Sequence, residues 1–138
     1  MPIPTALFWV QGHSDSTNLS EAQNYFSNLS SLLTYLRSTV VAATDTPIVL
    51  GVLDSMQWIE SKFYTNGQCQ TPTCQDLQIG NGLVRDADTR AANELPHVFA
   101  VETQSVPRLV TDSLHLTSRG QLELGTLLGQ KLLEVTPS

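Results

Sequence analysis

The run Thr5-Ala6-Leu7-Phe8-Trp9-Val10-Gln11, closed by Gly12, is apolar almost without a break and shows no alternation. A strand with one wet face alternates apolar with polar residues. A strand covered on both faces need not, and such strands belong to parallel sheets packed between helix layers. The pattern recurs at Ile48-Val49-Leu50-Gly51-Val52-Leu53, ending at Asp54, and at His97-Val98-Phe99-Ala100-Val101-Glu102. Between the first two runs, Ala22, Tyr25, Phe26, Leu29, Leu32, Leu33, Leu36 and Val40 recur at helical spacing. They predict an amphipathic helix to about Ala43, opened by Asn18 and Glu21 as a capping box.

Val84, Ala87, Ala91 and Leu95 predict a second helix, ended by Pro96. Ser55 to about Asn81 reads as one long loop, a kind of segment that is often functional. Trp58, Phe63 and Tyr64 give it apolar surface to pack down, or a ring on which a sugar can stack. Ser118 with Gln121 opens a last helix whose apolar face is Leu124, Leu127, Leu128, Leu132 and Val135. The order strand-helix-strand-helix-strand-helix is a run of βαβ units with right-handed crossovers, hence an α/β fold with a parallel sheet.

The 138 residues suit one domain, 1–138, with room for a continuous core. A net charge of −6, with seven Lys and Arg scattered along the chain, disfavours nucleic acid and anionic membranes as partners. A neutral or cationic small molecule, such as a sugar derivative, fits the balance. No apolar run approaches the ~20 residues of a membrane span. Residues 1–10 lack the basic segment of a secretory leader. Cys69 and Cys74 cannot complete a four-ligand zinc site between them, and no metal or cofactor is expected. A short disulfide between them would suit a secreted parent; two free thiols are the alternative.

Parallel sheets place their sites beyond the carboxyl ends of the strands. Two loops fall there. One is Gly12-His13-Ser14-Asp15; the other holds Asp112-Ser113-Leu114-His115. The D-x-x-H spacing lets the Asp112 carboxylate accept a hydrogen bond from Nδ1 of His115, fixing the tautomer and supporting the imidazolium. By itself this spacing is common, and a turn Asp beside a half-exposed His is the plain reading. His97 is a strand-start residue with no assigned role.

Trp9-Val10-Gln11-Gly12-His13-Ser14-Asp15 resembles the W-x-Q-G-E-S-D segment of the SGNH (GDSL-like) hydrolases, in their carbohydrate acetylesterase branch. That branch includes the sialate O-acetylesterase-like domains. Asp112-Ser113-Leu114-His115-Leu116, followed by Gly120-Gln121 and Leu124-Gly125, resembles the branch's closing block. The two motifs stand in the family's order, and the resemblance spans the chain but only the later half of the family's domain. It implies a flavodoxin-like three-layer fold and hydrolysis of an acetylated carbohydrate or other small ester through a Ser-His-Asp triad. Carried over, His115 is the general base and Asp112 its orienter. Gln11, Gly12, His13 and Asp15 form the substrate side. Ser14 stands where the wider family often places an Asn donor, and His13 replaces a Glu.

The resemblance also implies a missing part. The family's nucleophile block and its first strands belong ahead of residue 1, so the domain is expected to be incomplete at its N-terminal side. The uncovered edge of the Thr5–Gln11 strand should then pair with a complementing chain, a second copy or the chain's own rearranged segments. Within the chain Ser14, just after a strand and before a helix, is the candidate nucleophile, although no G-x-S-x-G elbow surrounds it. The expected functions are therefore a carbohydrate O-acetylesterase whose nucleophile comes from elsewhere or from Ser14, or a non-catalytic binding or self-association module.

Overall fold

A computed structural model describes residues 4–41 and 43–136. Three strands, β1 (Leu7–Trp9), β2 (Ile48–Val52) and β3 (Val98–Glu102), form a parallel sheet in the order β1-β2-β3. Leu7 lies opposite Ile48, and Ile48 opposite Val98, so all three strands start at one level. β2 is buried at every position, as its unbroken apolar run requires. β1 has no strand neighbour on its outer edge among the described residues, and Phe8 and the following Val10 are about half exposed.

The described residues also form five helices: α1 (His13–Ser16), α2 (Leu19–Thr39), α3 (Met56–Phe63), α4 (Pro72–Glu94) and α5 (Ser118–Val135). The main core lies between α2, α4 and one face of the sheet. It joins Ala22, Tyr25, Leu29 and Leu33 to Val84, Ala87 and Ala91 over Ile48, Leu50 and Val98. α5 packs against β2 and β3, giving the expected layered α/β arrangement. Arg37 ties the amino-terminal ends of the strands together, donating to the carbonyls of Thr44, Thr46 and Pro96 at 2.7–3.0 Å.

Several boundaries differ from the sequence expectation. α2 stops at Thr39, because the β-branched run Thr39-Val40-Val41 leaves the helix and turns Val41 into the core. Asn18 caps it, accepting from the Ser20 and Glu21 amides. α5 is capped by Thr117, whose Oγ1 accepts from the Gly120 amide, rather than by Ser118.

The largest correction concerns Ser55 to Asn81, which is mostly helical. α3 occupies 56–63, and α4 begins at Pro72, well before Val84. Thr71 caps α4 by accepting from the Cys74 amide, with Pro72 at the first helical position where its missing N–H costs nothing. Gly80 and Gly82 conceal the helical period. Cys69 and Cys74 are joined as a disulfide, with Cα atoms 5.6 Å apart, beside a small cluster of Ile59, Cys74 and Leu77.

Asp88 is buried in the middle of α4, where its Oδ2 accepts from the Leu53 amide at 3.0 Å. Burial pushes its carboxyl up to about 7, against that bond and the charge of Arg85, with Glu102 adding to the rise. A raised folded-state value means the native state holds a proton that the unfolded chain has released. Stability therefore falls as pH rises from about 4 through about 7. An asparagine in this position keeps an acceptor for the Leu53 amide and carries no charge. Asp88→Asn is expected to be more stable than wild type at pH 8 by about 2 kcal/mol, below the ~1.4 kcal/mol per pH unit limit summed over the shift. Urea midpoints at pH 5 and pH 8 check this. A variant no more stable than wild type at pH 8 contradicts it.

Candidate active site

Both sequence-predicted loops leave the carboxyl end of the sheet, and they meet at one cavity of about 280 Å³. Gln11 and His13 line it from the β1 side; Arg108, Leu114, His115 and Leu116 line it from the loop after β3. Its floor comes from the ends of β2 and β3, at Gly51, Val52, Leu53, Asp54 and Thr103.

The His115 loop is a short, heavily bonded turn. Leu109 N–H donates to the His115 carbonyl at 2.8 Å, Ser113 N–H to Leu109 at 2.7 Å, and Thr117 N–H to Pro107 at 3.1 Å. Arg108 Nη1 donates to the Leu114 carbonyl at 2.6 Å. Ser113 takes φ +57°, in the left-handed region that non-glycine residues seldom enter. The Asp112 side chain holds that bend. Its Oδ1 accepts from the Leu114 and His115 amides at 2.9 and 3.0 Å, while Oδ2 lies 2.7 Å from His115 Nδ1. The two amides and the imidazole, the Leu114 amide foremost, hold the carboxyl down to about 2. The His115 side chain is 73% exposed at the cavity rim. With Nδ1–H donated to Asp112, Nε2 is free to take a proton.

The opposite loop is built on Gly12, whose φ of +129° suits no other residue well. A Cβ there would also stand 2.6 Å from Val84 Cγ1. Tyr25 Oη donates to the Gln11 carbonyl at 3.1 Å, and Gln11 Nε2 donates to Asp15 Oδ2 at 2.6 Å. Asp15 thus steadies Gln11 rather than facing the cavity, and Gly12 is buried against Val84 and Tyr25 and does not line it. His13 Nδ1 lies 3.0 Å from the buried Ser55 Oγ, and its ring meets the Trp58 ring edge-on with centroids 4.8 Å apart. Burial, with the nearby His115 and Arg108 charges, holds the His13 imidazole below its usual value. Trp58 therefore packs behind His13, and no Trp, Phe or Tyr lines the cavity among the described residues.

Ser14 is set apart from the pair. It lies on α1, is absent from the cavity wall, and its hydroxyl forms no hydrogen bond among the described residues. The pairing of His13 with Ser55, 42 positions apart, had no signal in the sequence. Nor did Asp54 and Arg108. Asp54 Oδ1 accepts from the Met56 amide at 3.1 Å, but its buried Oδ2 has no partner among the described residues, and neither does the buried Nε of Arg108. No cluster of His, Cys, Asp or Glu among the described residues suits a metal ion. No described helix is long and apolar enough to cross a membrane.

Comparison with known proteins agrees with this architecture. A solved Arabidopsis thaliana structure superposes with a TM-score of 0.68 at 24% identity, over 95% of this chain and 44% of the other; it speaks to the fold. A curated Arabidopsis thaliana protein, named "probable carbohydrate esterase", is 26% identical over 128 residues, 93% of this chain. The chain spans about 40% of that relative's length. The family model described as carbohydrate esterase, sialic acid-specific acetylesterase, matches residues 4–134, nearly the whole sequence. The chain belongs to this carbohydrate esterase family.

Proposed function

We propose that the chain carries the base, its orienter and the substrate cavity of a carbohydrate O-acetylesterase. The supporting observation is the 2.7 Å bond from His115 Nδ1 to Asp112, at the rim of a cavity that both family-like segments line. In this reading a serine hydroxyl attacks the acetyl carbonyl carbon and gives its proton to His115 Nε2. The tetrahedral adduct collapses, the bond to the sugar oxygen breaks, and His115 returns the proton to that oxygen. Water then repeats the sequence on the acetyl-serine and releases acetate. Asp112 keeps the imidazole in the required tautomer, while Gln11 and His13 shape the wall beside the acetyl group, Gln11 held by Asp15 and the loop bent at Gly12.

We place the serine in the part of the relatives that this chain does not span. The unpaired outer side of β1 is where that part would join; a second copy of the chain is the other occupant to test. Ser14, off the cavity wall, is the nucleophile to exclude.

The test is aryl-acetate hydrolysis by the 138-residue chain, compared with His115→Ala, Ser14→Ala and a free-imidazole blank. Wild type is expected to exceed His115→Ala, because His115 can act as general base for water on an activated ester even without the serine; equality of the two overturns a working His115–Asp112 pair in the isolated chain. The Ser14→Ala rate locates the nucleophile. A rate that follows wild type leaves it outside the chain, whereas one that falls to the His115→Ala level assigns it to Ser14.

A further inference from the structure

The two histidines that line the cavity, His13 and His115, have different partners on Nδ1. His115 Nδ1 faces the Asp112 carboxylate, which only accepts, so Nδ1 carries the proton and Nε2 the lone pair. His13 Nδ1 faces the Ser55 hydroxyl at 3.0 Å, and a hydroxyl can donate or accept. The surroundings of Ser55 decide between the two.

Ser55 is 1% exposed, and His13 is the one hydrogen-bond partner of its Oγ among the described residues. Were Oγ to accept from His13 Nδ1–H, its own hydrogen would point at no acceptor in a dry place. Buried donors are left unpaired less often than acceptors with a spare lone pair. Ser55 therefore donates to Nδ1, and His13 holds its proton on Nε2.

Two further observations concern the same ring. Ser55 stands at the N-cap of α3, where a serine ordinarily accepts from the first helical amides, yet its side chain makes no such bond. The hydroxyl is turned to the imidazole instead, while the Ser55 N–H is held by the buried Asn81 Oδ1 at 3.0 Å. Trp58 meets the His13 ring edge-on, fixing it from a second side. With Nδ1 turned to buried Ser55, the Nε2 edge is left for the cavity that His13 lines. Burial foremost, then the charges of His115 and Arg108, hold this imidazole below its usual value, so it is neutral above pH 7.

Building on the esterase reading, we propose that His13 is a second catalytic residue, donating Nε2–H to the acetyl carbonyl oxygen, and that Ser55 is the positioning residue that sets its tautomer. One wall then takes a proton and the other gives a hydrogen bond. As the attacking oxygen bonds to the carbonyl carbon, the C=O π pair moves onto the carbonyl oxygen that Nε2–H faces, and the proton stays on His13. Neutrality matters here, because an imidazolium at His13 would oppose the protonation of His115 across the cavity.

The tautomers are read first, by long-range proton–nitrogen correlation on the labelled chain at pH 8, with signals assigned from His13→Leu and His115→Ala. His13 is expected as the Nε2–H form and His115 as the Nδ1–H form. Ser55→Ala should admit the Nδ1–H form of His13 while α3 stays intact, since no side-chain cap bond is lost. The chain is then titrated with p-nitroacetanilide, an uncleaved amide that carries the same acetyl carbonyl. His13 Nε2–H should move saturably, and His13→Leu should weaken the probe about tenfold, the scale of one lost hydrogen bond. In aryl-acetate hydrolysis His13→Leu should lose about nine tenths or more of the His115-dependent increment. His13→Gln, which keeps an N–H, should hold several times what His13→Leu holds. Four outcomes overturn the inference: an Nδ1–H form of wild-type His13, a His13 tautomer unchanged in Ser55→Ala, a probe that leaves Nε2–H unmoved, or an increment untouched by His13→Leu. If wild type hydrolyses no faster than His115→Ala, the catalytic reading of His115 falls alone. The tautomer and the probe then still decide whether His13 donates to a carbonyl.

Discussion

Asp112→Asn is expected to remove the His115-dependent part of aryl-acetate hydrolysis, bringing the rate down to that of His115→Ala while the fold survives. The fold survives because an asparagine Oδ1 can still accept from the Leu114 and His115 amides, the two bonds that hold the bend at Ser113. Activity does not, because the atom then facing His115 Nδ1 is an NH2 group. It donates where a carboxylate accepts, so Nδ1 must take the lone pair and Nε2 the proton. A base that already holds its proton cannot take another. In a complete Ser-His-Asp enzyme this change costs about 10⁴ in kcat; in this chain, whose serine we place elsewhere, the expected loss is the whole His115-dependent increment and no more. A variant that keeps more than a tenth of the His115-dependent rate would show that the 2.7 Å contact has no catalytic role. Asp112 is held down to about 2, so its own protonation does not set an acid limb of the rate between pH 4 and pH 7.

Gly80→Ala and Gly82→Ala are expected to change stability in opposite directions, although they lie two residues apart on α4. A Cβ on Gly80 would meet the backbone carbonyl of Ser16, far inside the 3.0 Å that real Cβ atoms respect. The obstacle is backbone, so no side chain can swing away. α1 is held on its other sides by the His13–Ser55 contact and by the close packing of Gly12 on Val84 and Tyr25. Overpacking of this kind outweighs the ~1 kcal/mol helix-propensity gain of Ala over Gly. Gly80→Ala should lose about 3 kcal/mol or more, a large share of a domain's marginal stability. Gly82 has nothing within 4 Å of its virtual Cβ, so Gly82→Ala should keep the propensity gain, about 0.5–1 kcal/mol. Thermal melts of the two variants decide it. A Gly80→Ala melting temperature at or above wild type would mean that α1 is free to move off α4.

The strands were legible in the sequence as short runs of Val, Ile, Leu and Phe, bounded by turn residues and too short for a helix, although only β2 is buried at every position. The Asp112–His115 pair was legible for a similar reason: its partners are three residues apart, so local geometry alone brings them together. The first half of α4 was not. Gly80 faces the Ser16 carbonyl, and Asn81 is buried with its Oδ1 accepting from the Ser55 amide. Two positions that a periodicity search reads as loop residues are thus the ones that seat α1 and α3. Asp54 and Arg108 were illegible for a different reason. Each is a lone charge in an apolar setting, and only the convergence of β2 with the loop after β3 brings them to one cavity.

The turn from Pro107 to Thr117 has a thermodynamic consequence. Its cross-turn amide bonds, the Arg108 strut and the two amides on Asp112 Oδ1 fix the imidazole before any ligand arrives. The α5 helix adds to this, because a side chain on Gly120 would collide with the Pro107 carbonyl, so helix and turn settle as one body. The ordering entropy of the base is therefore spent when the chain folds, not when a sugar binds. Association at this end of the sheet should accordingly show a single fast phase, with little loss of backbone motion in the turn when the ligand enters.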